Sequence, residues 1–287
     1  MNSPRDLRRR IKSISGTAQI TKAMQMVAAS KMRKAQQAAT DAQAFARMLY
    51  RIQRSAVMHA PGFEHPLIDV RPVKRRAVIL VAADKGLCGA LNTNVFRLAS
   101  QFDPATTVFI TAGRRAAQFV ARTKRQLVAE FPYGDTPTFP EARAIAAAAR
   151  DLFVKKDVDE VRIVATRYVN TLTQEPMSLE FLPIGEIKSV QIPGVDADRT
   201  PVDPAEAVFE PSAEAVLGYL LERYLNIYVY FVLLNAKASE QSARMVSMKN
   251  ATDSAESLIR DLRLEYNKLR HGNITKELLE IAGGQAE

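Results

Sequence analysis

The chain contains no tryptophan and only one cysteine, Cys88, and these scarcities exclude several kinds of site. A single cysteine cannot form a disulfide within the chain, so a disulfide-stabilised secreted domain is excluded and a reducing compartment is expected. The three histidines, His59, His65 and His271, show no spacing typical of a metal site. We therefore expect neither a metal nor another cofactor.

Long apolar runs are missing as well. The longest nearly uncharged stretch, LNIYVYFVLLNA at 225–236, is shorter than the roughly 20 residues that a membrane-spanning helix needs. The first residues, MNSPRDLRRRIKS, are basic but lack the apolar core of a secretory signal. We predict no transmembrane segment and interpret residues 225–236 as a buried helix face.

Proline is absent from residues 5–60 and from residues 212–287, whereas 13 of the 14 prolines lie between Pro61 and Pro211. Because proline interrupts helices, both proline-free stretches are expected to be continuous helices. The sequence therefore predicts an N-terminal coiled-coil helix at 1–60, an inserted domain with a connector at 61–211, and a C-terminal coiled-coil helix at 212–287.

Both predicted helices repeat small or apolar residues at alternating steps of four and three, the spacing of a coiled-coil seam. The first seam comprises Leu7, Ile11, Ile14, Ala18, Thr21, Gln25, Ala28, Met32, Ala35, Ala39, Ala42, Ala46 and Leu49. The second comprises Leu220, Tyr224, Ile227, Phe231, Leu234, Ala238, Gln241, Met245, Met248, Thr252, Ala255, Ile259, Leu262, Tyr266 and Leu269. Since each seam would be exposed alone, we expect the two helices to pair antiparallel with the middle segment inserted between them.

The middle segment alternates between strand and helix patterns. Strands are predicted at 76–83, 106–111, 127–131, 161–169 and 177–182, and helices at 91–101, 114–123 and 140–154. This alternation favours a mostly parallel sheet with helices on its faces, and the turn NTLTQEP makes the last two strands a hairpin. The predicted fold class is α/β: a long antiparallel coiled coil with an inserted Rossmann-like α/β domain.

The stretch VILVAADKGLCGALN at 78–92 has the outline of a phosphate-binding turn, a strand followed by a glycine-containing loop and a helix. It lacks G-x-G-x-x-G and also the Lys-Ser/Thr of a P-loop. A nucleotide-binding α/β enzyme with coiled-coil arms is thus the alternative function, beside a tight packing turn or a protein contact. Cys88 is interpreted as a small packing residue, because no base accompanies it in the neighbouring sequence.

Positive charge is concentrated in the first helix. Residues 1–60 carry twelve of the 40 Lys and Arg but only two acids, Asp6 and Asp41. Such a strip predicts an acidic partner, nucleic acid or a membrane surface. The first 44 residues contain no aromatic side chain for base stacking, and the acidic last helix opposes the nucleic-acid interpretation. We expect Lys22, Lys31 and Arg33 to meet acidic groups on a partner.

The chain contains, in this order, the three motifs ITKAMQMVAASKMRKAQ, DKGLCGALN and EQSARMVSMKNATDSAESLIRDLRLEYNKLRHGNITKELLEI. Together they resemble signatures of the gamma subunit family of F-type ATP synthases. The resemblance covers essentially the whole chain. It implies a central rotor stalk without an active site, whose partners are the alpha and beta subunits, the epsilon subunit and the ring of c subunits, and not nucleic acid. It also implies peripheral association with a membrane through the complex, on the cytoplasmic side of a bacterial inner membrane.

The resemblance further implies subunit contacts along the helices. Met24, its basic neighbours and Arg244 fall where the shaft meets the acidic lever segment of a beta subunit. Arg270 and His271 fall at the pair that reaches a catch loop of the alpha–beta hexamer, and Thr275 lies just beyond. 

Two further groups of contacts are implied for the inserted domain. Asp84, Lys85 and Cys88 lie in the loop near a beta-subunit lever. Ala207 and Phe209 fall near the foot that meets the c ring.

The sequence HGN at 271–273 departs from the family, which usually has Gln and Ala at the first two positions. Glycine inside a helix costs about 1 kcal/mol relative to alanine, so Gly272 weakens the helix. We nevertheless expect the helix to continue through this position.

Overall fold

The computed structural model describes residues 3–60, 62–184 and 209–283. Along these residues the elements are α1 (Pro4–His59), β1 (Arg76–Val81), α2 (Leu91–Ala99), β2 (Thr107–Ala112), α3 (Arg114–Arg122), β3 (Gln126–Phe131), α4 (Phe139–Val154), β4 (Glu160–Tyr168), β5 (Gln174–Leu182) and α5 (Ala213–Gly283). Every helix and strand predicted for the inserted domain is present, and its bounds agree with the prediction to within three residues. The predicted last residues of the C-terminal helix, 284–287, lie outside the described residues.

The largest difference is the start of β5 at Gln174, within the predicted turn. Pro176 pairs with Thr166 of β4, although proline cannot donate a backbone hydrogen bond. The strand tolerates it because β5 is an edge strand. The N–H groups of Val169 and Asn170 donate to the carbonyl of Thr173 and close a turn shorter than predicted.

The five strands form one sheet in the order β3-β2-β1-β4-β5. The first four strands are parallel and β5 runs antiparallel to β4, which confirms the predicted mixed sheet with an antiparallel edge. The sheet is covered on both faces. On one face Val78 and Leu80 of β1 pack with α2 and α3, and on the other Ile79 packs with α4 and α5. Burial on both faces explains why β1 is a continuous apolar run.

Strand β3 forms the other edge of the sheet. Its pairing with β2 shifts register between Phe109 and Ile110, so that Val128 is an extra residue between Leu127 and Ala129. The side chains of Leu127 and Val128 are exposed. This irregularity is a β-bulge at an open edge.

The chain divides into two compact units, one from Met1–Ala28 with Arg244–Glu287 and the other from Ala29–Ala243. Helices α1 and α5 each contribute to both units. The division at 1–60, 61–211 and 212–287 that the proline distribution indicated stays a prediction.

In the first unit α1 and α5 pair along the predicted seam. Leu7, Ala18 and Ala28 of α1 are buried, as are Met248, Ile259 and Leu262 of α5. The Oγ1 atoms of Thr21 and Thr252 are 2.6 Å apart in a buried hydrogen bond between the helices.

In the second unit the same two helices pair antiparallel, as predicted. Ala56 and Ala60 cluster with Ala213 and Leu217, whereas the earlier α1 residue Phe45 lies beside the later α5 residue Arg223. All predicted seam positions of both helices are buried or half-buried. The alternating steps of four and three therefore identified the buried stripe correctly.

Helix α5 is long and apolar enough by composition to cross a membrane. Its apolar stretch is instead part of the core, where Leu225, Val229 and Leu233 join the cluster that contains Ile79 of the sheet. The interpretation of residues 225–236 as a buried helix face is confirmed.

Candidate functional site

The loop after β1 is a tight turn at the carboxyl end of the sheet. Gly89 has a φ of 59°, a left-handed conformation that favours glycine. The N–H of Ala83 donates to Oδ1 of Asn92 at 3.1 Å, which fixes the end of β1 to the first turn of α2. The loop geometry is thus maintained by contacts within the chain.

Asp84 ties this loop to the next helix. Its Oδ1 accepts the N–H of Arg114, the first residue of α3, at 2.8 Å. A carboxylate in this position interacts favourably with the positive end of the helix dipole. Lys85 is exposed beside it. The sequence motif did not reveal the capping role of Asp84.

Cys88 is 2% exposed and packs in a small cluster with Ala83, Leu91 and Ala243. Its Sγ lies 3.7 Å from Nδ2 of Asn92. The interpretation of Cys88 as a packing residue is confirmed. Because the thiol is buried in this cluster, it stabilises the loop by packing.

In open α/β sheets, ligands usually bind at the carboxyl ends of the strands where the strand order reverses, here between β1 and β4. Helix α5 lies at this crevice. Ala243 packs on Ala83 and Leu91 on the β1 side, and Oγ of Ser242 donates to the carbonyl of Thr171 after β4 at 2.7 Å. A nucleotide would have to displace α5, so the geometry disfavours the nucleotide-enzyme alternative.

Two histidines of the second unit, His59 and His65, contact neighbouring groups of the chain. Nδ1 of His59 lies 2.9 Å from the carbonyl of Ser55, and its ring lies 5.3 Å from that of Phe209. His65 stacks on Phe63, and burial lowers its pKa while the charge of Glu222 opposes that shift. Across residues 3–60, 62–184 and 209–283, no group of three or more His, Cys, Asp or Glu is placed to hold a metal ion.

The basic residues of α1 differ in their environments. Lys22 and Arg33 are exposed, and Met24 is half-buried. Lys31, which we predicted to meet an acidic partner, forms an ion pair of 2.5 Å with Asp135 of its own chain. The hydrogen bond from Lys31 holds the pKa of the Asp135 carboxyl below its usual range, and the charges of Lys237 and Lys85 act in the same direction. The Lys31 side chain is still 35% exposed, so its predicted contact with an acidic partner stays a prediction.

A buried cation on α5 is a feature that the sequence analysis missed. The side chain of Lys237 is 2% exposed, and its Nζ lies 3.0 Å from Oε2 of Glu240. The same Nζ lies 4.0 Å from Oδ1 of Asp135 and 4.7 Å from the ring centre of Tyr133. The Lys–Glu spacing of three is visible in the sequence, but it is also the spacing of an ordinary surface pair.

The remaining predicted contact residues of α5 fall into two groups. Arg244 is only 8% exposed, so its predicted contact with an acidic lever stays a prediction. Arg270, His271 and Thr275 are exposed, and Oγ1 of Thr275 donates to the carbonyl of His271 at 2.9 Å. Helix α5 continues through Gly272, as expected.

Of the two residues assigned to the foot, Phe209 is half-buried against the cluster of Ala56, Ala60 and Leu217. Ala207 lies outside the described residues. The predicted contact of these two residues with the c ring stays a prediction.

Comparison with known proteins gives a consistent result. The family model described as ATP synthase matches residues 3–286. The ATP synthase gamma chain of Opitutus terrae is 44% identical over 290 residues, which cover 99% of this chain and 98% of the relative. The gamma chain of Methylacidiphilum infernorum is 40% identical over 294 residues, with 99% of both chains covered.

Solved structures show the same fold. A chain from the central stalk and c-ring structure of the Tetrahymena thermophila mitochondrial ATP synthase matches 81% of this chain and 99% of its own length, with a TM-score of 0.60 and 25% identity. A chain from the Euglena gracilis mitochondrial ATP synthase, in rotational state 3, matches 98% of this chain and 93% of its own length, with a TM-score of 0.64 and 19% identity. With the near-complete family match and the 44% identity to a gamma chain, these findings show that the protein belongs to the ATP synthase gamma chain family.

Proposed function

We propose that this chain is the central stalk of an F-type ATP synthase. It transmits rotation of the membrane c ring to the alpha–beta hexamer and thereby couples ion flow to ATP synthesis or hydrolysis. The observation that carries the proposal is membership of the gamma chain family over residues 3–286. The chain has no active site of its own and acts by changing the conformation of catalytic neighbours.

The charges of the paired helices are unevenly distributed, as a rotor role requires. In the first unit α1 exposes the bases Lys12 and Lys22, whereas α5 exposes acids such as Asp253 together with bases such as Arg260 and Arg263. Interactions between exposed charges are largely screened beyond about 8 Å at physiological salt, so a fixed neighbour senses mainly the face turned toward it. As such a pair turns, a fixed neighbour therefore meets different charges on the two helices.

The partners that follow from this role are the alpha and beta subunits around the helices and the epsilon subunit and c ring at the inserted domain. Nucleic acid is not among them. ATP synthase is a membrane-associated complex, and we place this chain peripherally on the cytoplasmic side of a bacterial inner membrane. The helices at 1–60 and 212–287 form the shaft in this proposal, and residues 61–211 form the foot domain with its connector.

Individual contacts are part of the proposal. The beta-subunit lever segments are met by Lys22, Met24, Arg33 and Arg244 on the helices and by the loop that contains Asp84, Lys85 and Cys88. Arg270, His271 and Thr275 face a catch loop of the hexamer, and Ala207 and Phe209 lie near the c ring. Exposure of Lys22, Arg33, Lys85, Arg270, His271 and Thr275 supports these assignments.

Reconstitution tests the role directly. Alpha and beta subunits of the same organism are mixed with or without this chain, and assembly and sustained ATP hydrolysis are measured. The chain should produce both. Ile259→Asp is the matched negative control, because Ile259 is a buried seam residue and a carboxylate there separates the helices. Absence of assembly and of sustained turnover with the wild-type chain would refute the proposal.

Lys22→Glu tests the lever contact, since Lys22 is exposed and its reversal leaves the seam intact. We expect normal assembly but less proton pumping per ATP, because the contact with an acidic segment becomes repulsive. Lys155→Glu, an equally exposed reversal beyond the end of α4, is the control. Arg244→Glu is a poorer test, since it would bury an acid. Unchanged pumping in Lys22→Glu contradicts the placement.

A further inference from the structure

One carboxylate joins the inserted domain to both terminal helices within the second compact unit. Asp135 lies in the loop between β3 and α4. Its Oδ2 is 2.5 Å from Nζ of Lys31 on α1, and its Oδ1 is 4.0 Å from Nζ of Lys237 on α5. The loop is held at its far end by Glu141, whose carboxylate accepts the N–H groups of Gly134 and Thr138.

The position of this loop and the burial of Lys237 depend on each other. A buried ammonium group is costly unless charges and hydrogen bonds compensate it. Glu240 supplies one compensating charge from α5 itself, whereas Asp135 and the ring of Tyr133 are supplied by the loop. Movement of the loop away from α5 would leave Lys237 with less compensation, so the loop and the helix are energetically coupled.

Neutral contacts also join α5 to this end of the sheet. They include the hydrogen bond from Ser242 to Thr171 and the packing of Ala243 near Cys88. Apolar packing is non-directional, so it opposes separation better than sideways sliding. Charge-assisted hydrogen bonds are directional and stronger than neutral ones. Sideways displacement is therefore resisted by this charged group, in addition to the ion pair between Arg150 of α4 and Glu222 of α5.

We propose that Lys31, Asp135, Lys237 and Glu240 form a charged clasp that positions the α/β sheet on the helix pair and carries load between them when the stalk turns. Asp135 and Lys237 are positioning residues, because they act through the helices and not on a substrate. This inference rests on the proposed rotor function.

Asp135→Ala is the first test, in membrane vesicles that contain the whole ATP synthase. Its side chain is 57% exposed, so truncation leaves no buried cavity. We expect assembly and ATP hydrolysis to be retained. The number of protons pumped per ATP should fall by about two-fold or more, because the inserted domain shifts along the helices when torque acts between them. Glu175→Ala is the matched control: it breaks an ion pair with Arg167 of similar exposure but lies wholly within the sheet. It should leave pumping unchanged.

The double variant Lys237→Met/Glu240→Gln separates positioning from simple stability. It removes both buried charges together, so neither partner is left uncompensated. A role limited to stability predicts normal pumping in this variant, whereas the clasp predicts the same loss as in Asp135→Ala. Wild-type pumping per ATP in either variant overturns the clasp. Failure of the wild-type complex to couple hydrolysis to pumping would instead refute the rotor function.

Hydrogen exchange of the loop gives a readout independent of pumping. The amide of Gly134 is bonded to Glu141 and lies next to Asp135. In the assembled complex, Asp135→Ala should accelerate exchange at 133–136 by about five-fold, since local opening no longer breaks the ion pairs. The amides of β4 serve as internal reference. Unchanged exchange at 133–136 contradicts the coupling between loop and helix.

Discussion

Replacing Gly272 with alanine should stabilise the last turns of α5. The helix continues through this residue, and a Cβ added there would meet no atom within 4 Å. Residues 270–276 are all exposed, so no packing interaction competes with the intrinsic preference of the backbone. Under these conditions the change acts through helix propensity and the conformational freedom of the unfolded segment.

The size of the stabilisation follows from the difference in helix propensity between glycine and alanine alone. Alanine is favoured over glycine in a helix interior by about 0.8–1 kcal/mol. With no clash to subtract and no cavity to fill, the whole amount should appear in the local free energy of opening. An increase of about 1 kcal/mol lowers the population of the opened segment roughly five-fold.

Native-state hydrogen exchange of the isolated chain measures this population. The amides of 273–278 should exchange about five-fold more slowly in Gly272→Ala than in the wild-type chain. Gly16→Ala is the matched control, because Gly16 is also a helical glycine with open space at its Cβ, but on α1. It should protect amides around residue 16 and leave 273–278 unaffected. Unchanged or faster exchange at 273–278 in Gly272→Ala would refute a continuous helix at this position.

Three further predictions concern packing and charge. Thr21→Val and Thr252→Val should each cost about 1 kcal/mol in urea unfolding, because each breaks the buried hydrogen bond between the helices while the remaining hydroxyl keeps its bond to the carbonyl of Ala18 or Met248. The double variant should cost less than the sum of the two, since the shared bond is lost only once; additive losses would contradict this. Gly113→Ala should abolish soluble folding or cost more than about 4 kcal/mol, since φ is 95° and the added Cβ would collide with the carbonyl oxygen of Ala82; an unchanged thermal midpoint would contradict it. N–H groups of Arg75 and Lys74 lower the pKa of Asp159, so its contribution to stability is present above pH 4 and is lost as the pH falls below; Asp159→Asn should flatten this acid dependence in unfolding measurements, and a retained slope would contradict the assignment.

The elements that sequence analysis predicted well are those governed by local periodicity. The seam positions around Thr21 and Thr252 follow from a repeat that any long paired helix must obey. The strand β1 follows from a continuous apolar run between turn residues. The start of β5 was predicted less well, because Pro176 indicates a turn unless the strand is known to lie at an edge.

The candidate site was harder to predict because its pairings are not local. Lys31 and Asp135 are 104 positions apart, and only the folded sheet brings them together. Arg244 and Lys237 look like exposed charges on a helix, yet both are buried. A charged residue beside the apolar seam normally faces solvent, so the sequence pattern alone could not reveal that the loop with Tyr133 and Asp135 covers Lys237.

The β-bulge at Val128 affects whether free copies of the chain can associate through their sheet edges. Among the strands in the described part of the chain, β3 has a neighbour on one side only, and the side chains of Leu127 and Val128 are exposed there. A flat edge of this kind recruits the same edge of another copy, which begins aggregation. The extra residue interrupts the even spacing of those groups and increases the local twist, so a second strand cannot add in regular register. The bulge therefore disfavours pairing between the β3 edges of two free copies of the chain.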